Sequence, residues 1–184
     1  MNTKQLRQKI LDLAIRGKLV PQDPNDEPAS VLLERVHEEK ERLIKEGKIR
    51  RDKNESKIIT SDKSHYREFD IPASWEFVLL GNICELSNGI SKRSAKNGCA
   101  TPVLRLADLE DDSISWKSIR VINLTEKEIV QYSLKNSDLL FVRVNGSKPN
   151  VGKAYIFQSD ETVAYCDHLI RGRVLHIVVS RYLC

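Results

Sequence analysis

The chain has 184 residues, of which 40% are hydrophobic, so it is long enough for one domain with an appended segment and apolar enough to form a core. Its 30 Lys and Arg residues against 26 Asp and Glu residues give a net charge of +4, which suits a polyanionic partner but excludes a histone-like or tail-like binder. The N-terminus has no signal-peptide pattern, and no apolar run approaches the ~20 residues of a membrane span, so the sequence predicts a soluble cytoplasmic protein.

Two amphipathic helices are predicted at the N-terminus. Apolar residues at helical spacing predict a short helix over residues 4 to 16, which Gly17 ends. A turn-rich loop, GKLVPQDPNDEP, leads to a second helix over residues 29 to 46. Its narrow apolar stripe on a charged helix is typical of a helical pair or coiled coil, within the chain or between chains, rather than of a helix lying on its own domain. The residues of this predicted interface are Leu32, Leu33, Val36, Leu43 and Ile44.

Beyond the helices the chain changes character. Residues 48 to 70 are rich in Lys and Arg and are interpreted as a basic linker, with phosphate contact as the alternative. From residue 71 onward, residues 77 to 80 and the stretches TPVLRLADL, SIRVINL, DLLFVRV, KAYIF and HLIRGRVLHIVV predict strands, and a capping box at Thr125 and Glu128 predicts one short helix. The sequence therefore predicts an α+β protein. It has a helical dimerisation segment over residues 1 to 47, the linker, and a mixed α/β domain with a twisted sheet over residues 71 to 184.

Motifs of the common enzyme classes are missing from the sequence. It contains no Gly-x-Ser-x-Gly elbow, Walker loop, strand-following GxGxxG or HExxH, and no Asn-Pro-Pro-aromatic signature of amino-methyltransferases. Of the Glu-x-Lys triplets in the sequence, Glu38 to Lys40 and Glu46 to Lys48 lie on or just after the charged helix, where they favour helical charge pairing over metal-nuclease chemistry. We therefore expect no catalytic residue and no cofactor.

One cluster near the C-terminus combines metal-ligating side chains, namely Cys166, Asp167, His168 and His176. A zinc site would need four well-spaced ligands, and no nucleophile accompanies the histidine. We expect a structural role for His168 and no metal. Because the four cysteines form no CxxC pair, we expect free thiols.

Two polar loops are not explained by folding needs. They are SNGISKRSAKNG, residues 87 to 98, and NGSKPN, residues 145 to 150. Such side chains donate to phosphate oxygens, and Arg, Asn and Lys also recognise purine edges, so nucleic acid is a candidate partner alongside a protein. Arg143 alternates with Val142 and Val144, so it is expected to face away from the core toward a groove, or to pair with a carboxylate. The candidate DNA contacts are Lys92, Arg93, Lys96, Arg143, Asn145, Ser147 and Lys148.

A family resemblance covers most of residues 4 to 178. The stretch LRQKILDLAIRGKLVPQDPNDEPASVLLERVHEEKERLIKEGKI resembles the helical segment of type I restriction-modification specificity subunits, including its Gly-Lys-Leu-Val-Pro-Gln turn. IPASWEFVLLGNI resembles the start of that family's target recognition domain. PVLRLADL, DLLFVRVNGSKPNVGKAYIF and DHLIRGRV resemble segments inside that domain, although Gly172 stands where the family commonly has an apolar residue, a change expected to weaken the strand.

The resemblance implies a non-enzymatic subunit that recognises double-stranded DNA. In this family each target recognition domain binds half of a bipartite site, and long helices hold two such domains apart and dock methyltransferase subunits. Methyl transfer belongs to the methyltransferase subunit, and translocation and cleavage belong to the restriction subunit. The family has two helical blocks and two recognition domains, so we expect a truncated or half-length subunit with an incomplete C-terminal domain.

Self-association through residues 29 to 46 would restore a two-domain arrangement with two-fold symmetry. The alternative is a specificity fragment that acts only as a protein-interaction module and does not recognise DNA.

Overall fold

The structure is a computed structural model that describes residues 2–51, 70–92, 96–110, 113–175 and 183. The chain divides into two compact units, a helical unit (Met1–Ile83) and a sheet unit (Cys84–Cys184). The three-part division expected from the sequence remains a prediction, and residues 52 to 69 of the basic linker lie outside the described residues. Across the described ranges, every helix is too short or too polar to span a membrane.

The helical unit confirms both predicted long helices to within one residue at each end. They are α1 (Thr3–Ile15) and α2 (Ala29–Lys45). The side chain of Asn2 accepts hydrogen bonds from two amides of the first turn of α1, and the Gln5 side-chain oxygen accepts one from the Asn2 amide, which completes a capping box. Gly17, at φ 64°, follows the end of α1 in the left-handed conformation that commonly terminates helices.

The two long helices bury different amounts of their own surface. α1 contains no buried residue, whereas α2 buries Val36 and Lys40. The Lys40 ammonium donates a hydrogen bond to the carbonyl of Gly81, 3.0 Å away. Gly81 lies in a third, short helix, α3 (Leu80–Ile83). The stripe on α2 is thus partly covered within its own unit, and the coiled-coil pairing stays a prediction.

The prediction of a strand over residues 77 to 80 is wrong. Leu80 begins α3, and the three residues before it adopt no regular structure. Phe77 and Val78 remain 48% and 39% exposed, so this apolar run is not buried as the expected strand would be. Short apolar runs of this kind do not distinguish a strand from a helix start by periodicity alone.

The described residues of the sheet unit form two sheets rather than the single sheet expected. An antiparallel four-stranded sheet has the order β1-β7-β4-β5, and a three-stranded sheet has the order β3-β2-β6. The strands are β1 (Cys84–Asn88), β2 (Cys99–Leu104), β3 (Arg120–Leu124), β4 (Leu139–Val142), β5 (Ala154–Ile156), β6 (Ala164–Tyr165) and β7 (Leu169–Val174). The chain changes sheets between β6, which pairs in parallel with β2, and β7, which pairs with β1 and β4.

Most of the predicted strands and the predicted short helix are confirmed. The five stretches from TPVLRLADL to HLIRGRVLHIVV correspond to β2, β3, β4, β5 and β7, with residues 176 to 179 of the last stretch outside the described residues. The helix is α4 (Glu126–Tyr132), capped reciprocally by Thr125 and Glu128. An α+β fold is therefore confirmed, while the twist of the sheets stays a prediction.

The core of the sheet unit lies under both sheets. Its side chains with 0% exposure include Leu104, Leu124, Leu139, Leu140, Phe157, Val163, Tyr165 and Leu169. Gly172 in β7 lies between Leu86 and Leu139, and a Cβ atom there would lie 2.9 Å from a ring carbon of Phe141. The glycine therefore permits close packing against Phe141, which is the reason for its place in this strand.

Candidate functional site

The site is organised around the turn between β6 and β7, residues 166 to 168, named here the β6–β7 turn. Its backbone is fixed by two hydrogen bonds. The Cys166 amide donates to the Leu104 carbonyl at 2.9 Å, and the Leu169 amide donates back to the Cys166 carbonyl at 3.0 Å. Because the turn is hydrogen-bonded to β2 through Leu104, it provides a rigid base for the neighbouring loops.

Both polar loops begin beside this turn. The Asp167 amide donates to the Ile90 carbonyl at 3.1 Å, which attaches the first polar loop, residues 87 to 98. The Arg143 amide donates to the His168 carbonyl at 2.9 Å, just before the second polar loop, residues 145 to 150. The structure thus brings together the starts of two loops that are more than fifty positions apart in the sequence.

The second polar loop carries exposed polar groups on a braced backbone. Val142 is buried, whereas Arg143 and Val144 are both exposed, so the alternation expected from the sequence ends at Val142. The Arg143 guanidinium donates to the carbonyl of Asp167 at 3.3 Å rather than to a carboxylate. The Asn145 side chain accepts from the Ser147 amide at 2.9 Å, and a 3-10 turn follows over Lys148–Asn150. Ser147 and Lys148 are exposed, so the loop offers a hydroxyl and an ammonium to solvent.

The first polar loop uses its cations differently. The Lys92 ammonium lies 3.0 Å from both carboxylate oxygens of Glu128, and the two side chains are 29% and 26% exposed. The pKa of Glu128 lies below its usual value because its carboxylate accepts hydrogen bonds. The bond from the Thr125 amide has the larger effect, and the bond from the Lys92 ammonium comes second. Lys96 is exposed, and Arg93 lies outside the described residues. A contact between Lys92 and DNA would have to compete with this ion pair.

A small open pocket lies at the base of the second polar loop. It encloses about 310 Å³ including its mouth. Its lining residues are Leu106, Leu109, Glu110, Val142, Asn145, Asn150, Lys153 and Tyr155. Asn150, Lys153 and Glu110 were not among the candidates from the sequence. Asn150 stands inside the NGSKPN motif, whereas the approach of Glu110 depends on tertiary packing and leaves no local signal.

Comparison with known proteins gives relatives of one kind. No family model matches the chain. The chain is 39% identical over 137 residues to the type I restriction enzyme EcoAI specificity subunit of Escherichia coli, a match that covers 73% of this chain and 23% of the relative. It is 49% identical over 84 residues to the EcoEI specificity subunit of the same organism, which covers 46% and 14%. It is 38% identical over 112 residues to the StySPI specificity subunit of Salmonella potsdam, which covers 59% and 24%.

The chain is a relative of the type I restriction specificity subunits. The family predicted from the sequence is therefore confirmed. So, at the level of the family, is the prediction of a recognition subunit rather than an enzyme, because every one of these relatives is named as the specificity subunit of a restriction enzyme. The matched segments span about a quarter or less of the length of these relatives.

The five residues of α2 that were predicted as a protein interface differ in how exposed their side chains are. Val36 is only 2% exposed, whereas the other four predicted residues, Leu32, Leu33, Leu43 and Ile44, are partly exposed. The most exposed apolar side chains of the helical unit's first helix are Leu6, Ile10, Leu11 and Ile15, at 43% to 56% exposure. Leu6 and Ile10 lie four positions apart, on the same side of the helix, and are named the α1 face. Leu11 and Ile15 lie on another side of the helix. Sequence reasoning placed Leu6 and Ile10 in the amphipathic pattern of this helix but did not name them as an interface.

Proposed function

We propose that this specificity-subunit relative recognises double-stranded DNA through its two polar loops and gives a methyltransferase subunit its DNA sequence preference. The supporting observation is that both loops start from one rigid turn in a chain whose relatives are named specificity subunits. In this proposal the sheet unit contacts half of a bipartite site, in the cytoplasm, with the methyltransferase and restriction subunits as protein partners. The bond-making and bond-breaking steps belong to those partners.

The second polar loop supplies two kinds of DNA contact in this proposal. Lys148 and Ser147 are exposed donors suited to phosphate oxygens, which position a protein on DNA without specifying sequence. Arg143 and Asn145 have the planar donor groups that pair in bidentate fashion with guanine and adenine edges. The Asn145 oxygen accepts from the Ser147 amide, so a bidentate contact with adenine would use the second lone pair of this oxygen together with the amide nitrogen.

The first polar loop contributes through exchange of partners. Lys96 is exposed and is proposed as a phosphate contact, together with Arg93. Lys92 would contact a phosphate only if that contact offsets the free energy of the broken ion pair between Lys92 and Glu128. Because that pair is partly exposed, its own contribution is modest, and such an exchange costs little.

The helical unit is proposed as the protein-docking part. The α1 face supports this, since two exposed apolar side chains on the same side of one helix favour association with another protein surface. Docking of the methyltransferase subunit would use this face, and self-association would use the stripe of α2. Light scattering of the purified chain, alone and with the methyltransferase subunit, measures both associations.

The decisive experiment measures methylation. The chain is mixed with the methyltransferase subunit and a DNA library of random sequence, and the methylated positions are sequenced. Methylation at a single split motif is the expected outcome. Co-purification of the two proteins without any preferred motif would favour the interaction-module alternative, and cleavage of DNA by the chain alone would contradict both.

Variants separate positioning from specificity. Lys96→Ala with Lys148→Ala should weaken DNA binding, and each lost phosphate contact should reduce the slope of log affinity against log salt by about 1. Asn145→Ala should relax the preference at one position of the motif. The matched control is Lys117→Ala with Lys135→Ala, which removes two exposed lysines of the sheet unit outside both loops. Equal losses in the two double variants would remove the support for these loops.

A further inference from the structure

We propose that Cys166, Asp167 and His168 form a binding site for a divalent, thiophilic metal ion, with zinc favoured by the ligand chemistry. The site goes beyond DNA recognition, and neither the relatives nor the proposed function assigns it. The sequence alone led us to expect a structural histidine here, because four spaced ligands were lacking. Three protein ligands with water in the fourth position are also a common zinc arrangement.

The distances between the three ligand atoms suit one metal ion. The Cys166 Sγ lies 3.7 Å from the His168 Nδ1, and that nitrogen lies 3.6 Å from a carboxylate oxygen of Asp167. All three ligand atoms lie within 4.8 Å of one another. A tetrahedral zinc with Zn–S of about 2.3 Å and Zn–N of about 2.0 Å separates its ligand atoms by roughly 3.3 to 3.6 Å. Small side-chain rotations therefore suffice to bring all three into coordination.

One weak hydrogen bond joins two of the three groups, since the Cys166 Sγ and the His168 Nδ1 are 3.7 Å apart. The separation of 3.6 Å between the His168 nitrogen and the Asp167 oxygen is too long for an ordinary N–H···O hydrogen bond. The backbone of the β6–β7 turn also positions the three groups, because amide–carbonyl bonds of 2.9 and 3.1 Å fix it to Leu104 and Ile90. A ligand set positioned by a rigid backbone loses little conformational entropy when it binds a metal.

The charge and accessibility of the cluster also suit a divalent cation. A thiolate, a carboxylate and a neutral imidazole carry two negative charges, which the metal ion neutralises. Burial raises the pKa of the Cys166 thiol, so the metal must displace the thiol proton to the solvent, as coordinated thiols generally require. Asp167 and His168 are 41% and 52% exposed at the side chain, which leaves an approach for the ion and room for water.

The nearby cations do not exclude the ion. Arg105 lies 2.9 Å from the Asp108 carboxylate, so its charge is already paired. The Arg143 guanidinium donates to the backbone carbonyl of Asp167 and leaves the Asp167 carboxylate available. Arg143 is also a proposed DNA contact, so a metal ion at the β6–β7 turn would stiffen the point from which both polar loops start.

Titration of the untagged full chain with Co²⁺, alone and in competition with Zn²⁺, tests the proposal. Cobalt bound to a thiolate gives a sulfur-to-metal charge-transfer absorption that free cobalt lacks. We expect this absorption to saturate at one equivalent and to disappear when zinc is added. Cys166→Ser should abolish it, and His168→Gln should weaken cobalt binding by at least the ~10-fold that loss of even an outer-shell partner causes.

Other thiols provide the matched controls. Cys99→Ser removes an exposed thiol and Cys184→Ser removes the last one in the sequence, and both variants should keep the absorption. Cys84 is only 3% exposed, so cobalt has no direct approach to its thiol. Absence of the charge-transfer absorption in the parent chain, or its persistence in Cys166→Ser, would overturn the proposal. Because the readout involves no DNA, its failure leaves the proposed recognition function intact.

Discussion

The sheet unit and the helical unit differ in how completely they bury their apolar side chains. In the sheet unit Leu104, Phe157 and Tyr165 have no exposed surface, whereas α1 of the helical unit buries no residue and leaves Leu11 56% exposed. Burial of apolar surface is the main favourable term in folding, so the sheet unit carries its own source of stability. The apolar surface of α1 remains available for association. In the proposed function, the recognition loops therefore belong to the unit with the fully buried core, and the docking residues belong to a helix with exposed apolar surface.

The largest expected effect is in the sheet core. Phe157→Ala should lower the free energy of unfolding of the sheet unit by about 3 to 5 kcal/mol, because it leaves a cavity in a fully buried position. The Phe157 ring lies 6.1 Å from that of Trp116, so Trp116 fluorescence during urea denaturation reports on this unit. A Trp75→Phe background removes the other tryptophan, which belongs to the helical unit. A loss under about 1 kcal/mol would mean that this core does not hold the unit together.

A smaller effect is expected where the first polar loop joins β2. Gly98 has φ 121°, and a Cβ atom there would lie 2.5 Å from the Leu124 carbonyl oxygen. Gly98→Ala should therefore destabilise the sheet unit by about 1 to 3 kcal/mol through backbone strain and a clash with backbone. Gly146→Ala in the second polar loop is the matched control, since a Cβ atom there meets nothing within 4 Å. Equal stabilities of the two variants, measured by the same denaturation, would contradict the strain at Gly98.

The sequence predicted local features well and long-range pairing poorly. The bounds of α1 and α2 and the cap of α4 follow from local signals, namely helical spacing, Gly17 and the Thr125–Glu128 pair. β1, with the sequence CELSN, is too polar for a strand prediction, and β6 has only two residues. The separation into two sheets follows from pairing between distant segments, which no local pattern encodes.

The candidate site shows the same limit. The sequence located both polar loops but gave their cations equal weight, because the partner of Lys92 is Glu128, 36 positions away. Likewise, the convergence of Cys166 and His168 depends on the geometry of the β6–β7 turn. Side-chain availability is a property of packing, so it could be assigned only from the structure.

A modest effect of pH is expected from the hydrogen bonds and the ion pair of Glu128. Folding lowers the pKa of Glu128 from its ordinary value of 4.5. The ionised carboxylate therefore stabilises the sheet unit at pH values above 4.5, and this stabilisation is lost as the pH falls through the lowered pKa. Glu128→Gln should therefore show a shallower loss of stability on acidification than the parent chain. Glu126→Gln, in the same helical turn, controls for the removal of a carboxylate from this helix. Identical slopes for parent and Glu128→Gln would remove this role for Glu128.

The smallest effect on stability, with a clear effect on association, is expected on the α1 face. Leu6→Ser with Ile10→Ser should change the free energy of unfolding by less than about 0.5 kcal/mol per site, since both side chains are already more than two-fifths exposed. The same change should abolish or weaken binding of the methyltransferase subunit, because the apolar area that a partner would bury is lost. Light scattering of the mixture measures the association, and Lys4→Ser with Lys9→Ser, on the same helix, controls for surface changes in general. If the serine variant at Leu6 and Ile10 unfolds more easily but binds as before, the α1 face stabilises the chain itself, and the contrast between the two units disappears.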